Sequence, residues 1–176
     1  MDIYTPEFIE LSDCYNLNAA YSTTYVWQMQ TSEHERRTEI RFDAVRLPRP
    51  MEVVYPRSPD ELLEHWQQEA CFLVISDQAD QIVGLIDAQP RVWQNLLWIS
   101  NLIIDKALRR QGFGTKLLQA AIAWARQEKI DRLMLEMQTK NYPAIAFAQK
   151  HGFKFCGYND RYYTNGDIAL FFEKTI

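Results

Sequence analysis

The stretch Arg109-Arg110-Gln111-Gly112-Phe113-Gly114-Thr115 brings two cations, two glycines and a hydroxyl into one short segment. If that segment opens a helix, its chemistry is anion binding. The first N–H groups of a helix have no partner inside it and sit at the positive end of its dipole. A phosphate can therefore accept several of them at once. Gly112 and Gly114 remove side chains from the approach and tolerate positive φ, and Arg109 and Arg110 add charge beside the amides. Two common phosphate grips do not fit. The nucleoside triphosphate loop needs four residues between its first Gly and a Gly-Lys-Ser/Thr, and the dinucleotide fingerprint needs a third glycine where Leu117 stands.

The flanking elements present this turn as the chemistry requires. Leu97 to Ile104 is short, apolar and bounded by Asp105, so it reads as a buried strand. After the turn, Leu117, Leu118, Ala121, Ile122 and Ala125 form one helical stripe, with Lys116, Gln119, Arg126 and Gln127 facing away. Leu133 to Met137 follows as a second strand. Asn141 then caps a helix over 142–150, and Gly152 is its left-handed terminator.

Elsewhere the pattern predicts a short helix from Glu10 to Ala19 and strands at Tyr21–Met29 and Glu39–Leu47. Pro48, Pro50, Pro56 and Pro59 mark an irregular connection. Ser58 and Glu61 form a capping box for a helix through Gln68. Cys71–Ile75 and Ile82–Ala88 read as antiparallel neighbours. Asn165-Gly166 reads as a hairpin turn joining Asp160–Tyr163 to Ile168–Phe172. The expected class is α+β, with a mostly antiparallel sheet and helices inserted late.

The chain of 176 residues is one domain's worth, expected as a single unit over 1–176. Nineteen Lys+Arg against 23 Asp+Glu give a net charge of −4, which argues against nucleic acid as a partner. Cys14, Cys71 and Cys156 form no close-spaced pair and read as reduced thiols of the cytoplasm. The start, Met1-Asp2-Ile3-Tyr4, lacks the basic and apolar regions of a signal peptide. No apolar run has membrane-spanning length. His34, His65 and His151 are far apart without clustered ligands, so no metal is expected.

Arg109-x-x-Gly112-x-Gly114 between a strand and an amphipathic helix resembles the acetyl-CoA diphosphate signature of the GNAT N-acetyltransferases. Asn141-x-x-Ala144-x-x-Phe147, ending in Gly152-Phe153, resembles the second sequence block of that family. The likeness covers roughly residues 70 to 174. It implies the GNAT fold, with a mixed sheet of about six or seven strands and helices on both faces. It implies acetyl-CoA as co-substrate, with Arg109, Arg110, Gln111, Gly112, Phe113, Gly114 and Thr115 at the diphosphate. Leu102, Ile103 and Ile104 would hold the pantetheine, with Asn141 contacting it or the thioester region. The Leu133–Gln138 block, with Asn141 and Gly157-x-x-Asp160, looks most like the streptothricin acetyltransferase subgroup.

Acetyl transfer to an amine needs a neutral nucleophile, hydrogen-bond donors for the carbonyl oxygen and an exit for the thiolate. The family often supplies a tyrosine acid just before the Gly-Phe, but Ala148 stands there. Family members also often carry a glutamate on the fourth strand, where Ser100 and Asn101 are found. These two also read as a bulge or a satisfied polar spot. The remaining acid–base candidates are Glu136, Tyr142, His151 and Asp160, of which Glu136 and Tyr142 are the catalytic assignments. His151 also reads as a helix-end residue. By the same resemblance, Tyr25, Trp27, Asp160 and Tyr163 would flank the acceptor groove, suiting a cationic amine. The expected acceptor is a small-molecule primary amine, lysine-like or of aminoglycoside type. A protein N-terminus or lysine is the alternative, and an acyl-CoA-binding module without turnover is the third reading.

Overall fold

A computed structural model describes residues 2–58, 60–68 and 70–176. Met1 and Pro59 of the sequence analysis lie outside the described residues. In chain order the elements are β1 (Ile3–Tyr4), α1 (Leu11–Tyr15), β2 (Tyr21–His34), β3 (Arg37–Val53), α2 (Asp60–Gln67), β4 (Cys71–Ser76) and β5 (Ile82–Arg91). They continue with β6 (Leu96–Ile104), α3 (Phe113–Gln127), β7 (Arg132–Gln138), α4 (Tyr142–Lys150), β8 (Lys154–Asn159) and β9 (Ala169–Thr175). Seven strands form one sheet in the order β1-β4-β5-β6-β7-β9-β8, and β2 and β3 form a separate pair. Among the described residues only β6 and β7 pair in parallel, because α3 carries the chain back across the sheet between them.

Strand alternation feeds two cores. From β4, Cys71 and Ile75 join Leu117, Leu118 and Ala121 of α3 and Ile145 of α4. Phe72 and Val74 of the same strand join Leu11 and Cys14 of α1 and Leu62 of α2 on the opposite face. The sheet is thus covered on both sides. The expected α+β architecture is the observed one. No described helix is long and apolar enough to cross a membrane.

Five sequence expectations need correction. α1 ends at Tyr15 instead of Ala19, and the Asn18 amide beyond it donates to Asp105 Oδ2 at 3.0 Å. β2 and β3 run further than expected and pair through a long exposed arm that turns at Glu35 and Arg36. Pro48 and Pro50 lie within β3. Pairing steps from Thr23↔Met51 to Tyr25↔Arg46, so the intervening prolines sit in an irregularity that asks no donor of them. At α2, Ser58 Oγ accepts from the Asp60 amide at 3.2 Å, but Glu61 bonds Arg57 instead of closing a capping box. Finally, the strand preceding the Asn165-Gly166 turn is Lys154–Asn159. Asp160–Tyr163 belongs to the connection, where Gly166 takes φ +80° and its amide bonds the Tyr163 carbonyl at 2.8 Å.

Candidate active site

β6 delivers the chain through the short turn Lys106–Leu108 to the glycine segment, and α3 starts at Phe113. Gly112 adopts φ +89°, the left-handed conformation that a side chain would strain, and its Cβ position faces open space. The first helical bond of α3 runs from Lys116 N to Gly112 O. The N–H groups of Phe113, Gly114 and Thr115 therefore have no partner within the helix. The buried Phe113 side chain anchors this end, while Arg110, Gln111 and Gly112 are exposed. A Cβ on Gly114 would touch Phe147 at 3.5 Å and Ile104 at 3.7 Å, so the helix start lies directly against the end of β6. Thr115 Oγ1 lies 3.2 Å from His151 Nε2. Burial, then Lys150 and Lys174, lower the His151 pKa and favour the neutral imidazole.

Arg109 points elsewhere than the anion turn suggests. Its Nε donates to the Ile104 carbonyl at 2.9 Å and its Nη2 to the Asn18 carbonyl at 3.2 Å. The guanidinium ties the end of β6 to the segment after α1, and the exposed cation of the turn is its neighbour Arg110.

β6 and β7 pair only from Leu96↔Arg132 to Ile99↔Leu135. Beyond that point they part. A bulge at Ser100, opposite Asp87 and Ala88 of β5, begins the divergence. Leu102, Ile103 and Ile104 continue along β5, and among the described residues no strand pairs with them on the β7 side. Gly84 makes this course possible, because a Cβ there would sit 2.7 Å from the Ile103 carbonyl and closer still to the Ile104 side chain.

Two cavities meet at this opening. The smaller lies within it, lined by Ser100, Glu136, Met137, Gln138, Asn141 and Tyr163, together with Tyr55, Pro56 and Arg57. The larger, about 290 Å³, lies on the α1/α2 face and is walled by Tyr15, Asn18, Arg57, Asn101 and Ile103, again with Tyr55. Tyr55 and Arg57 thus form the partition between them. Sequence reasoning missed both, since Tyr55-Pro56-Arg57 falls in a proline-rich connection with no periodicity. An aromatic and an arginine in a loop between two ordered elements is the signal that was available.

Glu136 is 1% exposed as a side chain and is fully engaged. It accepts from Arg57 Nη2 at 2.6 Å, Tyr162 OH at 2.7 Å and Trp98 Nε1 at 3.0 Å. Arg57 also reaches Glu61 at 2.6 Å. Burial works against the Arg57 charge, but Glu136 and Glu61 more than offset it and raise its pKa. The Tyr162 phenol is pushed up to about 12, first by burial and then by Glu136. Behind this cluster, Asp87 Oδ2 accepts from Asn101 Nδ2 at 2.8 Å and from His65 Nδ1 at 2.6 Å, and Tyr55 OH donates to Asn101 Oδ1 at 2.8 Å.

The other sequence candidates divide. Asn141 caps α4 through Oδ1 and the Ala144 amide at 3.2 Å, and it also lines the smaller cavity. Tyr163 is buried beside it. Tyr142 opens α4 with its ring 5.1 Å from that of Tyr25. Neither of these rings lines the two cavities. Trp27 packs against Phe42, Phe155 and Phe172, so its size serves the arm–body contact instead of an acceptor wall. Asp160 is exposed on the turn after β8 and lines neither cavity. Ala148 is fully buried in the core and offers no hydroxyl. Among the described residues, no group of three or more His, Cys, Asp or Glu is arranged to hold a metal.

Known proteins share part of this sequence and its fold. Streptothricin acetyltransferase A of Bacillus subtilis is 35% identical over 83 residues, covering 45% of this chain and 48% of the relative. N-alpha-acetyltransferase 30 of Dictyostelium discoideum is 31% identical over 110 residues, covering 61% of this chain and 58% of the relative. The chain therefore matches about half the length of these curated relatives. A crystal structure of nourseothricin acetyltransferase superposes with a TM-score of 0.82 over 99% of this chain and 97% of that one, at 20% identity, a likeness of fold. The model of the acetyltransferase (GNAT) family matches residues 41–153, well over half the sequence, and the chain belongs to that family.

Proposed function

We propose that this protein is an acetyl-CoA-dependent N-acetyltransferase that acylates a primary amine of a small molecule by direct transfer in a ternary complex. The observation that carries this reading is the shared partition. Tyr55 and Arg57 separate an opening in the sheet, which runs toward unpaired helix amides, from a half-open cavity of about 290 Å³. Two substrates entering from opposite sides would meet there.

The residues fit the coenzyme. The amides of Phe113, Gly114 and Thr115 would hold its diphosphate, helped by Arg110, Gln111 and the open approach at Gly112. The unpaired edge of Leu102, Ile103 and Ile104 would hold the pantetheine amides, with Asn141 across the opening. Bound acetyl-CoA supplies an activated acyl group whose thiol leaving group has a pKa of about 8.5.

Arg57 is assigned to donate to the carbonyl oxygen as it gains charge. Glu136 is assigned to hold Arg57 in that orientation. Its oxygens are spent on Arg57, Trp98 and Tyr162, so it is a positioning residue instead of the base. The amine proton then leaves through water in the cavity. No hydroxyl is assigned to the departing thiolate, because Tyr142 lines neither cavity and Ala148 carries none, and a thiol with a pKa of about 8.5 leaves without an acid. Cys14 lines the larger cavity, but burial pushes its thiol up to about 12, which disfavours an acyl-cysteine route and supports direct attack.

The likeness to N-alpha-acetyltransferase 30 favours a second reading, in which the acceptor is a protein N-terminus. A thiol-release assay with acetyl-CoA decides between them. The panel contains lysinamide, streptothricin, an aminoglycoside and short peptides with free N-termini. Release with the small amines is the expected result, and release with peptides alone selects the second reading. Tight CoA binding without thiol release from any amine would instead identify an acyl-CoA-binding module.

A further inference from the structure

Asp87 is fully buried on β5 and lies outside both cavity linings, yet it is linked to their partition. Its Oδ2 accepts from His65 Nδ1 on α2 at 2.6 Å and from Asn101 Nδ2 on β6 at 2.8 Å. Asn101 is itself 3% exposed, and its Oδ1 accepts from Tyr55 OH at 2.8 Å. The directions along this chain are not free. A carboxylate only accepts. Asn101 must therefore turn its NH₂ toward Asp87, which leaves its oxygen facing Tyr55. Tyr55 must then spend its single proton on Asn101. Its remaining lone pair is left for a partner outside this chain of bonds, and Tyr55 lines both cavities.

We propose that Asp87 is a positioning residue that sets the hydrogen-bond polarity of Tyr55, so that the acceptor site offers a lone pair and no proton to the amine. This inference rests on the acetyl-transfer reading. An amine N–H is received by that lone pair, and the nitrogen electron pair stays available to attack the carbonyl carbon. A phenol turned the other way would donate into the nitrogen lone pair and tie up the electrons that must form the new C–N bond. The burial that raises the Tyr55 pKa suits this role, since a phenol that stays neutral accepts without removing the proton itself. The ligand class selected is therefore a hydrogen-bond donor with a nucleophilic nitrogen.

Two isosteric variants test the polarity. In Asp87→Asn the acceptor-only group is gone, and Asn101 and Tyr55 can reverse. In Asp87→Asn/Asn101→Asp the carboxylate moves one link along, accepts from both neighbours and again forces Tyr55 to donate. The C–O stretch of isotope-labelled tyrosine, isolated by subtracting the Tyr55→Phe spectrum, reports whether the phenol donates. It needs no acyl donor. With lysinamide and acetyl-CoA, Asp87→Asn is expected to lower kcat roughly three- to tenfold, the net worth of one hydrogen bond, and to leave the acetyl-CoA KM unchanged. The double variant is expected to recover both the donor-type band and kcat. A purely structural role would make the double variant worse than the single one. An unchanged band and kcat in Asp87→Asn overturns the proposal, as does a double variant no better than the single one. If Asp87→Asn loses its cooperative melt, the band and kcat of the double variant decide. Absence of thiol release with every amine would defeat the acetyl-transfer reading itself, while the band would still decide the polarity.

Discussion

Arg57 and Glu136 meet at 2.6 Å although they are 79 residues apart in sequence, one from a loop after the long arm and the other from the last third of the chain. The contact joins the proline-rich connection to the open end of β7, and Glu136 is 1% exposed within it. Removing one partner of such a pair leaves the other charged and poorly solvated. Glu136→Ala is expected to cost about 2–4 kcal/mol, near the low end of what buried pairs cost, because Arg57 keeps Glu61. Urea denaturation measures the cost. The same variant is expected to depress acetyl transfer while CoA affinity, read by calorimetry, stays within about twofold of the parent.

Gly112 is the one position of the anion turn where conformation alone demands glycine. Gly112→Ala is expected to cost about 1–2 kcal/mol, since a side chain at φ +89° is strained even with open space around it. Gly112→Asp adds negative charge at the mouth of the helix. It is expected to abolish measurable CoA binding while thermal unfolding stays cooperative. Unchanged CoA affinity in Gly112→Asp would remove the diphosphate from this turn.

Gly84 tests the opposite side of the opening. A methyl there would be driven against the Ile103 carbonyl at 2.7 Å, which is backbone and cannot swing aside. Gly84→Ala is therefore expected to cost about 1–3 kcal/mol and to shift the end of β6. Because Leu102, Ile103 and Ile104 are the proposed pantetheine edge, CoA affinity should fall with stability. A stability loss without any change in CoA affinity would detach that edge from the coenzyme.

The His65–Asp87 contact gives the fold a pH dependence of known sign. The hydrogen bond to Asp87 is the largest cause of the raised His65 pKa, with burial opposing it. The stabilisation is complete below the unfolded imidazole value of about 6.5 and is lost as pH rises through the higher folded value. The stability difference between the wild type and His65→Gln should be largest below the unfolded value of about 6.5 and shrink as pH rises above it. Denaturant midpoints taken across that range check it. A difference that grows with pH would contradict the pairing.

Much of this molecule was legible in the chain because local physics decided it. The stripe of α3, the cap at Asn141, the left-handed Gly152 and the bulge at Ser100 each depend on residues within a few positions. Tertiary facts were not legible. Arg109 reads as a phosphate cation until the fold puts the Ile104 and Asn18 carbonyls beside its guanidinium. Trp27 reads as a recognition aromatic until the arm lays it on Phe155 and Phe172. Tyr55 and Asp87 were invisible for the opposite reason. Neither belongs to a motif, and their connection runs through Asn101, 46 and 14 residues away.

We propose that helix amides at the start of α3 hold the diphosphate while the coenzyme arm follows the freed edge of β6. A crystal structure of the CoA complex tests it most directly. Diphosphate oxygens are expected within hydrogen-bond distance of the Phe113, Gly114 and Thr115 amides, with the arm alongside Leu102 to Ile104. A diphosphate bound away from residues 109–115 would contradict it.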